Sequence, residues 1–347
     1  MHIKLYPVLT LNEQGKRNNN EDSIYPGFTV KKPVEGLYMV CDGVGGNEKG
    51  EVASLLACHA FAEYIAQNTS NKYDLNYFSD ALSHVEADFD AYINENPQAK
   101  GMATTLTLAY FNPNGVSLVH IGDSRIYHLR QNAIAYQSKD HSYVNALVAT
   151  GSITEQETRD HPKRNVILRA ITGTSVKPTK PDVYECTSVE EGDYFFLCSD
   201  GILESIHDED LLEIVFGKES EEEKMKIIRH RCNKSSDDNF SCILIKVKSV
   251  ALNWEEQIEK EETTKPLSSP DSADEDMQSE PQPPVRTDCK SGRQKKHFFI
   301  WILLITLSII ASFSLYFSHS KTKSESCSSK THTESCPNDS IPSQITE

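Results

Sequence analysis

Basic residues are in short supply in this sequence: 35 Lys and Arg stand against 51 Asp and Glu, a formal net charge of −16. A chain this acidic repels a phosphate backbone, which excludes nucleic acid as its main partner and means that any polyanion must be met through intervening cations. The start, Met1-His2-Ile3-Lys4, has neither the long apolar stretch nor the small-residue cleavage site of a secretory signal, so the main domain is expected to stay in the cytoplasm. No internal repeat is visible. No cysteine is followed six residues later by Arg, which excludes the thiolate cradle of cysteine-based phosphate chemistry. Glu48 stands where a dinucleotide motif needs its third glycine, and Glu51 where a phosphate-binding loop needs Lys. Asp123-Ser124 lacks the G-x-S-x-G elbow of a serine hydrolase.

Long hydrophobic runs are also missing, with one exception. Residues 298–317 (FFIWILLITLSIIASFSLYF) carry no charge and, at about 1.5 Å per residue, are long enough to cross a hydrocarbon core of about 30 Å. This predicts a single transmembrane helix. Lys290, Arg293, Lys295 and Lys296 before it outweigh Lys321, Lys323 and Lys330 after it, which places the N-terminal domain on the cytoplasmic side. Residues 249–297 are rich in Glu, Ser, Pro and Asp and too poor in apolar groups to offset chain entropy, so they read as a disordered linker. Residues 318–347 form a short polar tail, a hydrophilic cap whose Cys327 and Cys336 can pair if it faces an oxidising space. Cys41, Cys198 and Cys242 sit in apolar runs, as reduced core thiols do.

Residues 1–248 remain as one large domain. Segments 36–41, 103–111, 116–121, 194–197 and 240–247 read as strands. Val52, Leu55, Leu56, Phe61 and Ile65 recur at helical spacing, as do apolar positions over 73–93 and 211–228. Strict strand–helix alternation is absent, which favours an α+β fold with antiparallel strands.

One local grammar repeats: an apolar strand, then Asp, then a small residue. It occurs at YMVCDG (Asp42), VHIGDSR (Asp123) and FFLCSDG (Asp200), and in related form at Asp238-Asn239 before the strand FSCILIKV. Each places a carboxylate at the rim of the core, and a following glycine lets a ligand approach the backbone carbonyl. Any one Asp-Gly alone makes an ordinary turn. Several such carboxylates, with Glu21 and Asp22, cannot converge without strong repulsion unless cations neutralise them. All-oxygen ligation selects Mg2+ or Mn2+ over zinc.

The motifs, in order, are Arg17-Asn-Asn-Asn-Glu-Asp22, Asp42-Gly-Val-Gly-Gly46, Gly50-Glu-Val-Ala-Ser54 and Gly101-Met-Ala-Thr-Thr105. Gly122-Asp-Ser-Arg125, Asp140-His-Ser142, Arg169-Ala-Ile-Thr-Gly173, Leu197-Cys-Ser-Asp-Gly201 and Asp238-Asn239 follow. Together they resemble the metal-dependent (type 2C) protein serine/threonine phosphatases, in their bacterial spelling, across essentially all of residues 1–248. The resemblance implies a four-layer α-β-β-α sandwich of two antiparallel sheets flanked by helices. It implies a dinuclear Mn2+ or Mg2+ site in which Asp42 bridges, Asp200 and Asp238 ligate one ion, and Glu21 with the Gly43 carbonyl ligates the other. Asp22 acts directly or through water, and Asp123 with Asp200 matches a third, weaker ion site. Two such ions lower the pKa of a shared water, and Arg17 holds the phosphate with its planar fork of donors. Val44 stands where some members carry a proton-donating His, and His141 reads as a structural histidine of its turn. The implied substrates are phosphoserine and phosphothreonine on cytoplasmic proteins, a cognate kinase or its targets among them. Segment 143–166 is expected to form a flap beside the site. The rival expectation is a catalytically inactive phosphatase fold serving as a membrane scaffold; such folds lose metal ligands, whereas every ligand position here is Asp or Glu.

Overall fold

The computed structural model describes residues 1–251 apart from 28–29, 45–48, 159 and 174–178. The chain opens with short strands β1 (His2–Leu5), β2 (Leu9–Glu13) and β3 (Asp22–Tyr25), then the longer β4 (Leu37–Val44). Helices α1 (Gly50–Gln67) and α2 (Leu75–Glu95) follow. Asp74 starts α2 by accepting from the N–H groups of Asn76 and Tyr77, donors that a helix start otherwise leaves open. A run of strands comes next: β5 (Ala103–Thr104), β6 (Leu106–Asn112), β7 (Gly115–Ile121), β8 (Arg125–Arg130) and β9 (Ala133–Gln137). The domain finishes with α3 (Tyr143–Ala149), β10 (Asp182–Cys186), β11 (Tyr194–Cys198), α4 (Asp200–Leu203), α5 (Asp208–Phe216), α6 (Glu221–Ser235) and β12 (Phe240–Ala251).

The strands form two six-stranded antiparallel sheets, one ordered β1-β12-β11-β8-β9 with β2 also on β12, the other β10-β7-β6-β4-β3 with β5 on β4. Side chains alternate across a strand, so neighbours feed different layers. Phe195 joins Val40, Leu118, Ile243 and Ile245 between the sheets, while Phe196 joins Ile202, Leu211 and Ile228 beneath α4, α5 and α6. On the far side, Phe61, Phe78 and Phe89 from α1 and α2 pack against Leu106 and Leu108. Three apolar layers separate four structural ones, giving the α-β-β-α sandwich. Each fully buried Phe contributes about 1.5–3 kcal/mol by leaving water.

The expected strands all form, with 103–111 broken at Thr105 into β5 and β6. The helical periodicity over 211–228 does not yield one helix. α5 stops at Phe216, and α6 restarts after Ser220, which accepts from Glu223 N–H while the Glu223 carboxylate accepts from Ser220 N–H. Leu55, assigned to the apolar stripe of α1, is 51% exposed. The ends of segment 143–166 are joined by a Tyr143 N–H bond to the Val166 carbonyl. The described cysteines are free and buried, Cys41, Cys198 and Cys242 included. Among the described residues no helix is long and apolar enough to cross a membrane. The expected linker from 252 onward, the span 298–317 and the tail with Cys327 and Cys336 lie outside the described residues.

Candidate metal centre

Both sheets deliver carboxylates to one place. Asp22 and Asp42 are cross-strand partners on β3 and β4. The Asp42 backbone is fixed by its N–H donating to Thr105 Oγ1 (3.0 Å) and its carbonyl accepting from Thr104 Oγ1 (2.8 Å). Asp200 follows the end of β11 and opens α4; Asp238 precedes β12; Asp123 follows β7 in the turn begun by Gly122. Their mutual repulsion shows the convergence. Burial first, then Asp200, Asp22 and Asp123, pushes Asp42 well above the carboxylate range. Burial, opposed by the hydrogen bond from Ser199 Oγ (2.8 Å) and reinforced by Asp200 and Asp238, lifts Asp22 to about 7. Burial and then Asp200 lift Asp123 to about 7, and burial and then Asp238 lift Asp200 to about 6. Glu21 is raised by burial and then by Glu51.

These groups fit bound cations on their own evidence. Asp22 Oδ1, Asp123 Oδ1 and Asp200 Oδ1 are buried with no hydrogen-bond partner among the described residues. A buried, unpartnered carboxylate oxygen costs several kcal/mol unless a cation meets it. Glycine keeps a second approach open: a Cβ at Gly50 would stand 2.7 Å from both Glu21 Oε2 and the Gly43 carbonyl oxygen. The Glu21 carboxylate and the Gly43 carbonyl therefore face one small space, and the donor set is all oxygen, as hard divalent ions require. Residues 45–48, part of the Asp-Gly-Val-Gly-Gly motif, lie outside the described residues.

Arg17 sits at the exposed edge of this cluster. Its Nη2 donates to Asp238 Oδ2 at 2.6 Å and its Nε to the Asp237 carbonyl at 3.2 Å. His141 points elsewhere, into contacts with Gly122 and Asp182. One residue carries more than the sequence reading assigned to it. Asn239 donates to the carbonyls of Gln14 (2.7 Å) and Asn19 (2.8 Å) and accepts from Glu21 N–H (2.8 Å). It thereby ties down the loop that bears Arg17 and Glu21. The Asp-Asn pair before β12 was visible in the sequence, but its partners lie more than two hundred residues away.

Known proteins match the same domain. The sequence profile of protein phosphatase 2C matches residues 13–231. The serine/threonine protein phosphatase PstP of Mycobacterium tuberculosis is 35% identical over 231 residues, 67% of this chain and 43% of PstP, so the chain spans less than half the length of that relative. The serine/threonine phosphatase stp of Listeria monocytogenes is 29% identical over 234 residues, 66% of this chain and 90% of stp. Among solved structures, the M. tuberculosis PstP/Ppp phosphatase superposes with a TM-score of 0.61 at 33% identity, covering 71% of this chain and all of that one. The PstP catalytic domain in complex with two manganese ions gives a TM-score of 0.59 at 33% identity, covering 71% and 99%.

Proposed function

The chain belongs to the protein phosphatase 2C family, and from that premise we propose that it hydrolyses phosphoserine and phosphothreonine on cytoplasmic proteins. The observation that carries this reading is the set of buried oxygens on Asp22, Asp123 and Asp200 that have no partner among the described residues. Asp42, Asp200 and Asp238, with Glu21 and the Gly43 carbonyl, would hold a pair of ions, and Asp22 would act on them directly or through water. Asp123 with Asp200 would hold a third, weaker ion. When bound, Mn2+ or Mg2+ supplies Lewis-acid charge that lowers the pKa of water and polarises phosphoryl oxygens.

The chain's own groups do the rest. Arg17, at the exposed edge of the cluster, offers its fork of N–H donors to the phosphate. Asn239 holds the loop that aims it. The Val44 side chain has no ionisable proton, so β4 offers the leaving oxygen no acid at that position. Residues 1–248 form the catalytic domain, 249–297 a linker, 298–317 a membrane-spanning helix and 318–347 an external tail. The result is a single-pass membrane protein whose cytoplasmic domain acts on phosphoproteins, a cognate serine/threonine kinase among them; the charge-free run and its basic flank support that topology.

The test is release of phosphate from a phosphothreonine peptide by the full chain in detergent with Mn2+. Activity is expected to vanish with EDTA and to fall at least about a hundredfold in Asp42→Asn. Activity that survives both contradicts the reading, and absence of activity at any metal concentration favours the inactive scaffold. Protease protection of the tail in sealed vesicles checks the topology.

A further inference from the structure

The turn that presents Asp123 is held from both sides by groups outside the carboxylate cluster. Gly122 has φ of +108°, a conformation side chains rarely adopt, and a Cβ there would stand 2.7 Å from Thr105 Cβ. His141 clasps this glycine twice: its backbone N–H donates to the Gly122 carbonyl at 2.6 Å, and its ring Nδ1 accepts from Gly122 N–H at 3.0 Å. On the other side of Asp123, His120 Nε2 meets the Ser124 carbonyl at 2.9 Å, and Ser124 Oγ meets Thr105 Oγ1 at 2.7 Å. Arg125 then forms a two-point ion pair with Asp140, the neighbour of His141, at 2.7 Å for each bond.

The His141 ring is itself oriented. Because Nδ1 accepts from Gly122, the neutral ring carries its proton on Nε2, which faces Asp182 Oδ2 at 3.1 Å. Asp182 also accepts from Arg169 Nη1 at 2.8 Å, and the His120 ring packs on the His141 ring with centroids 4.6 Å apart. The ligand-type atoms of His120, His141 and Asp182 lie within 4.8 Å of one another, a spacing that suits a metal. Arg169 Nη1, through its bond to Asp182 Oδ1, already supplies the positive charge there, and the Gly122 N–H already takes the lone pair on Nδ1. The cluster is neutralised from within and acts as a brace. The His141 carbonyl meanwhile accepts from Leu168 N–H at 2.7 Å, so the brace joins the Asp123 turn to the chain leaving segment 143–166.

We propose that His141, oriented by Asp182 and Arg169, is a positioning residue that fixes the Gly122–Asp123 turn and thereby sets the affinity of the weaker ion site at Asp123. This rests on the assignment of Asp123 to that site. Groups that orient a ligand from behind alter metal affinity by roughly 10–100-fold when removed, and the clasp fixes the backbone on which Asp123 stands.

The experiment is a calorimetric Mn2+ titration of the full chain in detergent, with melting temperature measured alongside. Asp123→Asn is expected to remove the weakest binding step. Asp182→Asn, at a side chain 55% exposed and so tolerant of change, and His141→Gln are each expected to weaken that step roughly tenfold and leave the tighter steps as they are. Asp182→Glu, which keeps the carboxylate, is expected to recover most of the loss. If Asp123→Asn loses the step while Asp182→Asn and His141→Gln keep it, the clasp is overturned and the Asp123 assignment stands. If all steps weaken in parallel with a lower melting temperature, His141 gives general support only, and the proposal is likewise overturned. If Asp123→Asn leaves every step unchanged, the assignment fails and the clasp proposal with it.

Discussion

Asp193 and Asp200 stand just outside opposite ends of the same buried strand, β11, and their surroundings could hardly differ more. Asp193, 1% exposed, accepts from Arg130 at 2.6 and 2.7 Å and faces His128 Nε2 at 3.0 Å. Burial alone would raise it, but the bonds from Arg130 and His128 hold it down at about 2. His128 answers in kind: burial would lower it, yet the bonds to Asp193 and Cys186 lift it to about 9. Asp200 has carboxylates for neighbours and an oxygen without a partner among the described residues. The first aspartate is neutralised by the fold, and the second leaves its charge for something outside the chain to meet. Burial of an acidic group therefore does not mark a functional site; burial without an internal counter-charge does.

The comparison breaks most clearly in activity. Asp200→Asn is expected to cut phosphatase turnover at least about a hundredfold and to raise the melting temperature of the ion-free protein, because it removes one of several repelling charges. Asp193→Asn should reverse this, destabilising the fold by about 3–5 kcal/mol, because buried His128 loses its carboxylate and Arg130 is left to the exposed Glu190, with folded protein keeping its Mn2+ affinity. Thermal melts and initial rates on the two variants decide it.

Acidity separates the two ends next. The ion-free folded values of Asp22, Asp123 and Asp200 lie above an ordinary carboxylate near 3.9, so the folded chain binds more protons than the unfolded one in between. Ion-free stability is expected to fall as pH rises from about 4 to 7, and saturating Mn2+ should remove that decline. The Asp193 carboxylate runs the other way, while its partner His128 loses its share at alkaline pH. The Asp193 share is present above about 4 and lost as pH falls through about 2; the His128 share is present below about 6.5 and lost as pH rises through about 9. Melting temperature against pH, with and without Mn2+, measures both.

The division also shows what sequence can and cannot reveal. Asp42, Asp123, Asp200 and Asp238 were readable because each adjoins a strongly apolar strand, and buried strands such as β7 and β11 announce themselves by continuous hydrophobicity. The edge and short strands β1, β3, β9 and β10 were not, since their half-exposed positions carry mixed residues; DVYEC of β10 buries only Cys186. The break between α5 and α6 hid inside an uninterrupted period. Asp193 gave no sign of its role, because its partners sit on β8, some sixty residues earlier. Separation along the chain also concealed Asn239, whose partners lie more than two hundred residues away, and the clasp around Gly122 by His141, 19 residues on. Local patterns expose which groups reach the rim of the core, but the pairing of charges is a property of the packed sheets.

A smaller effect sharpens the reading of Asn239. Asn239→Ala frees the loop of Arg17 and Glu21, and is expected to raise KM for phosphopeptide roughly tenfold with a lesser change in kcat; equal losses in both would place its role elsewhere. Leu55→Ser, on the exposed face of α1, should shift stability by less than about 0.5 kcal/mol in a chemical melt.

The most direct measurement is calorimetric Mn2+ binding to the ion-free full chain near pH 6, in two buffers of different ionisation heat, so that ions bound and protons released are counted together. The account predicts at least two ions, with protons leaving the carboxylate cluster as they enter, and loss of both signals in Asp42→Asn. Binding without proton release, or binding that Asp42→Asn leaves intact, would contradict it.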